Sequence, residues 1–306
     1  MAGAGVRDLL IDGPWRHRDV SANGTRFHLA SGLDADQPTA NGDPRPLVVL
    51  LHGFGQFWWA WRHQIAPLDR AGYAVVALDL RGHGASDKTP RGYDPRTTAA
   101  DISGVIRGLG HRRAIVVGHD WGGMAGWATA AVAPEQVGGL VSIAAPHPLH
   151  FPWWRDLPRL AFQQVPLLPE RSLRAADSTY LERLFRSRTA AGNGFPSAEE
   201  ARRYRDALTS WPSPHRALAL QRSWLRQTFS RPGRQYRRAL RVPVPVPLLT
   251  IHGSTDPIVG RRSLMAAAQH VTGAHTMIDL PGAGHHPHEE TPDDVTAALL
   301  DWLGSS

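Results

Sequence analysis

The sequence predicts an α/β protein with a mostly parallel central sheet, flanked by helices and interrupted by a helical insertion before the last two strands. Three observations support this prediction: short apolar runs alternate with helical patterns, the middle third of the chain shows helical patterns only, and proline clusters bound that third. The 306 residues suffice for one large domain or two small ones. With 42% hydrophobic and 20% charged residues, the chain can form a hydrophobic core.

The elements follow in chain order. Arg16–Ala30 alternates around Asn23-Gly24, which is typical of a tight hairpin, and Ser31–Pro46 is rich in turn residues. Apolar runs without alternation then indicate strands buried on both faces of a parallel sheet. These runs are Leu47–Leu51, Ala74–Leu78, Ala114–Val117, Leu140–Ala144, Pro247–Ile251 and Thr276–Leu280. Helical patterns lie at about 57–71, 96–109, 121–133, 260–270 and 292–303, which gives a βαβ series.

Residues 147–241 break this series, because they contain no convincing strand pattern and many helix-forming residues. We therefore expect a core domain of residues 1–146 and 242–306 and a helical cap, or lid, of residues 147–241 over the strand ends. The cap segment carries 18 arginines and 7 acidic residues. Its arginines alternate with leucine, alanine and acids at helical spacing, so we interpret them as solvated helix faces and expect no nucleic-acid partner. Contact with a membrane surface through Trp153 and Trp154 stays an alternative.

The chain has no cysteine, which excludes a disulfide scaffold, thiolate metal sites and a cysteine nucleophile. No long apolar run follows the first residues, and Gln136–Trp154, the longest stretch without charged residues, contains three prolines. We expect a soluble cytoplasmic protein, either a monomer or a homodimer.

The segment Gly118–Gly123 carries the first chemical signal. Its small-x-nucleophile-x-small spacing permits a sharp turn from strand to helix, because large side chains at positions 118 and 122 would collide there. Asp120 would project at the helix N-terminus, where backbone N–H groups favour an anion. The pattern alone is weak, since an ordinary N-cap aspartate would also fit.

Three further features strengthen the prediction of a catalytic site. His52-Gly53-Phe54-Gly55 follows the first buried strand, where a backbone N–H can complete an oxyanion hole. Asp256 lies just past the strand after the insertion, and His285 just past the last strand. Nucleophile, acid and histidine thus occur in the chain order known from α/β-hydrolase triads, each at the carboxyl end of a strand.

An aspartate nucleophile limits the reaction type. A carboxylate with an ordinary pKa of about 3.9 is already ionised at neutral pH, so it can attack an sp³ carbon that bears a leaving group. The resulting alkyl ester can be hydrolysed by water that His285, oriented by Asp256, deprotonates. The N–H groups of Phe54 and Trp121 would hold the oxyanion. The substrate should therefore carry a strained ether or a halide.

At this point the sequence resembles the epoxide-hydrolase branch of the α/β-hydrolase fold, with haloalkane dehalogenases as relatives. The resemblance covers most of the chain and is specific in three segments, which are His52–Arg62, Asp79–Lys88 and Gly118–Gly123. It implies a small apolar epoxide as substrate and no cofactor. One departure is Gly55, where the family usually has proline.

The larger departure lies in the cap. The family uses two cap tyrosines to protonate the opening oxygen, and matching the sequences puts Phe162 and Leu225 at those places. Neither can donate a proton, and the remaining cap tyrosines are Tyr180, Tyr204 and Tyr236. The oxygen-activating acid is left unassigned by the sequence.

Further candidates for the substrate pocket lie near the predicted strand ends or in the cap. They are His52, Trp58, Phe162, Tyr180, Trp224 and Leu225. We expect no metal at His285, His286 and His288, because this spacing cannot easily aim three rings at one ion. Two alternatives to epoxide opening remain: haloalkane dehalogenation, with Trp121 and Trp224 as halide donors, and a ligand-binding relative that turns over slowly or not at all.

Overall fold

The structure, a computed structural model, describes residues 5–39, 42–174, 179–209, 212–227 and 230–305, without the side chains of Trp153 and Gln227. Within these residues eight strands form one sheet. They are β1 (Arg16–Ala22), β2 (Thr25–Ser31), β3 (Leu47–Leu51), β4 (Ala74–Leu78), β5 (Ala114–His119), β6 (Val137–Ile143), β7 (Leu248–Gly253) and β8 (His275–Leu280). Their order in the sheet is β1-β2-β4-β3-β5-β6-β7-β8. The predicted fold class, a mostly parallel sheet flanked by helices, is confirmed.

The first two strands form the predicted hairpin. Asn23 and Gly24 adopt φ values of 48° and 69°, so both turn residues are in the left-handed region that a two-residue hairpin turn requires. β2 then pairs antiparallel with β4, whereas β4, β3, β5, β6, β7 and β8 are all parallel. The parallel strands bring their carboxyl ends to one edge, where the site lies.

Helices cover the sheet because the central strands are apolar on both faces, and every residue of β3, β4 and β7 is buried. Outside the insertion the α-helices are α1 (Arg62–Arg70), α2 (Pro95–Gly108), α3 (Trp121–Val132), α10 (Arg261–Met265), α11 (Pro287–Glu290) and α12 (Pro292–Gly304). Inside it they are α4 (Leu157–Gln164), α5 (Leu168–Arg174), α6 (Tyr180–Arg186), α7 (Ala198–Thr209), α8 (Ser213–Gln227) and α9 (Arg231–Ala239).

Two predicted helices differ in their detail. The helix expected at 57–71 begins as a 3₁₀ turn at Trp58–Trp61 before α1, and α10 continues as a 3₁₀ helix at Ala266–His270. The four-residue α11 is too short to show a helical period, so the sequence pattern does not predict it.

The described part of 147–241 contains helices and no strand, and it lies between β6 and β7 in the chain. Buried polar contacts join it to the core. Arg62 in α1 pairs with Glu200 of α7 at 2.5 Å and with Glu289 of α11 at 2.7 Å. The Tyr204 hydroxyl in α7 hydrogen-bonds to Glu289 as well. Burial raises the pKa of Glu289 to about 7 despite the Arg62 charge. The boundaries of the cap as a domain stay a prediction.

Candidate active site

Asp120 occupies a sharp turn between β5 and α3. Its backbone has φ 48° and ψ −118°, a strained conformation for a residue with a side chain. Two glycines make this turn sterically feasible. A Cβ on Gly118 would lie 2.4 Å from the Gly122 carbonyl oxygen, and a Cβ on Gly122 would lie 2.2 Å from the Leu51 carbonyl oxygen. The close approach of α3 to the end of β3 therefore fixes where the Asp120 carboxylate projects.

The loop after β3 supplies a backbone donor to this carboxylate. The Phe54 N–H donates to Asp120 Oδ2 at 3.1 Å. Gly55, the next residue, has φ 77°, which proline cannot adopt. The departure from the family pattern at Gly55 thus goes with a turn conformation that excludes the proline.

His285 and Asp256 complete the group. Asp256 Oδ2 lies 2.8 Å from His285 Nδ1, and Asp256 Oδ1 accepts hydrogen bonds from the backbone N–H groups of Ile258 and Val259. The other ring nitrogen, His285 Nε2, lies 3.8 Å from Asp120 Oδ1, which is too long for a hydrogen bond. It has no hydrogen-bond partner among the residues that the structure describes. That nitrogen is therefore available to a water molecule or a substrate.

The charges of this group shift its protonation equilibria. Burial alone would raise the pKa of Asp120, but His285 nearby outweighs it and holds that pKa below its usual range. Burial alone would lower the pKa of His285, but the charges of Asp256 and Asp120 raise it to about 9. At neutral pH the site therefore holds two carboxylates and an imidazolium.

The histidine loop is fixed by a second set of contacts. The backbone N–H of His285 donates to the Arg188 carbonyl oxygen at 2.8 Å, and the His285 carbonyl oxygen lies 2.8 Å from His119 Nε2. His119 Nδ1 in turn lies 3.0 Å from Gln56 Oε1. Burial lowers the pKa of His119 to about 4, so this ring is a neutral packing and hydrogen-bonding residue.

The predicted pocket residues with aromatic side chains in the cap take part in three ring pairs. Trp121 meets Trp224 of α8 edge to face at 5.7 Å between ring centroids, and Trp224 meets Tyr236 at 6.0 Å. Phe162 of α4 lies 6.1 Å from Tyr180 at the start of α6. Leu225, next to Trp224, is half-buried against the hydrophobic core.

His52 and Trp58 have other partners. The Trp58 indole N–H donates to the Leu9 carbonyl oxygen, and the Trp58 backbone N–H donates to Asp79 Oδ1. His52 Nε2 accepts from the Leu80 N–H. These contacts give both residues a structural role, and the pocket roles expected from the sequence stay predictions.

A charged group in the cap was missed by the sequence analysis. Asp156, at the N-terminal end of α4, accepts from Arg188 Nη at 2.9 Å through Oδ1 and from Arg159 Nε at 2.7 Å through Oδ2. Asp156 and Arg188 are each only 5% exposed. The Arg159 guanidinium carbon lies 5.7 Å from the centroid of the Phe54 ring. The interpretation of the cap arginines as solvated helix faces is therefore wrong for Arg159 and Arg188.

One trio of histidines has nitrogens close enough together for a metal among the described residues: His147, His150 and His270. The rings of His147 and His270 stack in parallel planes, 3.6 Å apart with a 4° angle. Because ring nitrogens bind metals in the plane of the ring, this stack does not aim both lone pairs at one ion. Burial lowers the pKa of His147 to about 2.

Two observations bear on a membrane. No helix within the described ranges is both long enough and apolar enough to span a bilayer. Trp154 is 72% exposed, whereas the Trp153 side chain lies outside the described residues.

Comparison with known proteins agrees with this geometry. A family model for the alpha/beta hydrolase fold matches residues 46–292. AB hydrolase superfamily protein YfhM of Bacillus subtilis is 34% identical over 93% of this chain and 96% of its own length. Epoxide hydrolase 3 of Xenopus tropicalis is 31% identical over 92% of this chain and 75% of its own length.

Solved structures give the same grouping. Epoxide Hydrolase A from Mycobacterium thermoresistibile matches with a TM-score of 0.80 at 26% identity, over 94% of this chain and 98% of that one. An epoxide hydrolase from an endophytic Streptomyces matches with a TM-score of 0.78, also at 26% identity, over 96% of both chains.

Proposed function

The chain belongs to the α/β hydrolase fold family, in its epoxide hydrolase branch, and from that premise we propose that it opens an epoxide to a vicinal diol through a covalent ester on Asp120. The observation that carries the mechanism is the position of Asp120 between two groups. Its Oδ2 accepts from the Phe54 N–H, while its Oδ1 lies 3.8 Å from His285 Nε2.

In the first step an ionised Asp120 oxygen attacks a ring carbon, the carbon–oxygen bond breaks, and its electron pair passes to the released oxygen. The lowered pKa of Asp120 keeps the nucleophile ionised at neutral pH. Oδ1, on the side of His285, is the oxygen that we assign to the attack. Oδ2 then becomes the ester carbonyl oxygen and already lies at the Phe54 N–H.

In the second step His285 removes a proton from the water that attacks the ester. The ester on Asp120 is neutral, so one of the two charges that raise the pKa of His285 to about 9 is lost when the ester forms. The histidine thus becomes a neutral base in the intermediate, where a base is needed. Asp256 holds its Nδ1, and the N–H groups of Phe54 and Trp121 stabilise the oxyanion.

We further propose that residues 147–241 form the lid over this site. In its first part Arg159 lies near the ring of Phe54, whose N–H contacts the nucleophile, and in α8 Trp224 packs on Trp121. Aromatic pairs around Trp121 and Phe162 suit an apolar substrate. No cofactor is required for either step.

A second candidate, haloalkane dehalogenation, is favoured by one observation. The Trp121 indole N–H is buried beside the nucleophile and has no hydrogen-bond partner among the described residues, so it could donate to a leaving halide. The same aspartate, histidine and acid would serve that reaction.

Intact-mass spectrometry of the His285→Ala variant tests the proposal. This variant should still form the ester but should fail to hydrolyse it, so the adduct accumulates on exposure to an epoxide. A gain equal to the whole substrate mass means ring opening, whereas a gain equal to the substrate minus hydrogen halide means displacement. His285→Ala with Asp120→Asn is the matched control and should gain no mass. No adduct from panels of epoxides and haloalkanes would contradict the ester mechanism.

A further inference from the structure

Ring opening places negative charge on an oxygen, so the site needs a group that stabilises that charge. The sequence leaves this group unassigned, because Phe162 and Leu225 carry no hydroxyl. The hydroxyl of Tyr204 bonds to Glu289, where α7 meets the core. The arginines of the cap are the other groups there that can stabilise this charge.

Arg188 is a buried cation of the cap whose charge acts on Asp120. Its charge lowers the pKa of the nucleophile, and its own pKa is lowered by burial and by Arg159. Its backbone is tied to the catalytic loop, since its carbonyl oxygen accepts from the His285 N–H. Hydrogen bonds to Asp156 and to the His285 backbone therefore fix Arg188 beside the histidine loop, with its charge within electrostatic reach of the nucleophile.

The partners of Arg188 leave a net charge. Asp156 accepts from Arg188 through one oxygen and from Arg159 through the other, so one buried carboxylate is shared by two buried guanidinium groups. The trio carries a net charge of +1. Burying a cation without an equal opposite charge destabilises the fold unless another negative group lies nearby. Here the carboxylates of Asp120 and Asp256 lie within electrostatic reach of Arg188.

We propose that Arg188, held by Asp156 and supported by Arg159, hydrogen-bonds the oxygen released from the epoxide and stabilises its charge while the ester forms on Asp120. This inference rests on the proposed function. The oxygen receives the electron pair of the broken carbon–oxygen bond and takes a proton from water. The imidazolium of His285 reprotonates the hydroxide that remains and becomes neutral, and it then removes a proton from the water that hydrolyses the ester, so one water is consumed overall and Arg188 keeps its proton.

A guanidinium suits this role because it stays charged at neutral pH and offers five N–H donors in a plane. The hydrogen bond to Asp156 fixes that plane before the substrate arrives, so no reorganisation is needed during the reaction. The competing hydroxyl donors are Tyr180, which also interacts electrostatically with both arginines, and Tyr236, whose buried hydroxyl has no partner among the described residues.

The test measures the rate of ester formation in the His285→Ala background by intact mass, with a neutral epoxide. Arg188→Met should slow ester formation by about 100- to 1,000-fold, the usual loss for one oxyanion donor. Arg188→Lys should recover part of that loss. Arg186→Met is the matched control, because Arg186 is the last residue of α6, two positions before Arg188, is half-exposed and pairs only with Glu182 among the contacts described.

The dependence of the rate loss on the epoxide substituent distinguishes a catalytic role of Arg188 from a structural one. Electron-withdrawing substituents on the epoxide stabilise the charge themselves, so the loss in Arg188→Met should shrink with such substrates. A loss that does not change with the substituent would overturn the inference in favour of a structural role. A loss confined to epoxides that carry a carboxylate would overturn it in favour of substrate binding.

Two further outcomes are decisive. An unchanged rate in Arg188→Met, or a loss found in Tyr180→Phe instead, would assign the oxygen to another donor. If Arg188→Met does not fold, the rate of ester formation is measured in Arg188→Lys instead. A loss of rate in that variant that does not change with the epoxide substituent overturns the inference. No adduct in His285→Ala itself would instead refute the proposed function, so the two failures are distinguishable.

Discussion

Two buried charged groups meet at the strand ends, and they are built in opposite ways. The core group has two carboxylates around one imidazolium, Asp120 and Asp256 around His285, with a net charge of −1 at neutral pH. The cap group has two guanidinium groups around one carboxylate, with a net charge of +1. Each group offsets the charge that the other leaves, so a charged centre can persist where water is largely excluded.

The two groups also differ in what holds them. Backbone geometry fixes the core group: a strained turn at Asp120, glycines in contact with carbonyl oxygens, and N–H groups on both carboxylates. Side-chain ion pairs fix the cap group, at the start of α4 and just after α6. We therefore expect substitutions in the core group to be the more severe, and those in the cap group to be tolerated by the fold.

The largest effect is expected at the nucleophile. Asp120→Asn removes the attacking carboxylate and should lower kcat for epoxide hydrolysis by about 10⁴-fold or more. Asp256→Asn leaves the nucleophile in place and weakens only the base, so it should slow ester hydrolysis while the ester still forms. Steady-state kinetics and intact mass on the two variants check this order. Equal ester yields from both variants would show that Asp120 is not the attacking group.

A second prediction tests the backbone of the core group. Gly122→Ala would place a Cβ 2.2 Å from the Leu51 carbonyl oxygen, so β3 and α3 must separate, and we expect a loss of about 4 kcal/mol in the free energy of unfolding. Gly126→Ala in the same helix meets the flexible end of Leu140 at 2.9 Å and should change stability by no more than about 1 kcal/mol. Denaturant titration of the two variants measures the contrast. Similar stabilities would mean that the turn has more room than the geometry shows.

The same difference explains what the sequence could and could not predict. Strand ends, the glycine spacing and the chain order of Asp120, Asp256 and His285 are local signals, and the sheet brings them to one edge whatever the cap does. The roles of Arg159 and Arg188 depend on how α4 and α6 pack, and among 18 cap arginines nothing in the local pattern marks these two. For a similar reason the pocket role of Trp58 stays a prediction, because an aromatic run does not show which face each ring takes.

The smallest effect expected is a pH-dependent one within the core group. The pKa of His285 is about 9 in the folded protein and about 6.5 when unfolded, so protonation favours folding. This contribution is fully present below pH 6.5 and is lost as the pH rises through 9. Relative to His285→Gln, the wild-type free energy of unfolding should therefore fall by about 3 kcal/mol between pH 6 and pH 10.

Asp120→Asn sharpens this last measurement, because it removes one of the two charges that raise the pKa of His285. The pH-dependent difference should shrink in that variant, and Arg186→Met should leave it unchanged. This reduced dependence is the equilibrium counterpart of the ester intermediate, in which Asp120 is also neutral and His285 must act as a base. A pH dependence that stays the same in Asp120→Asn would mean that Asp256 alone sets the pKa of His285. The proposed change of the histidine from acid to base during turnover would then be wrong.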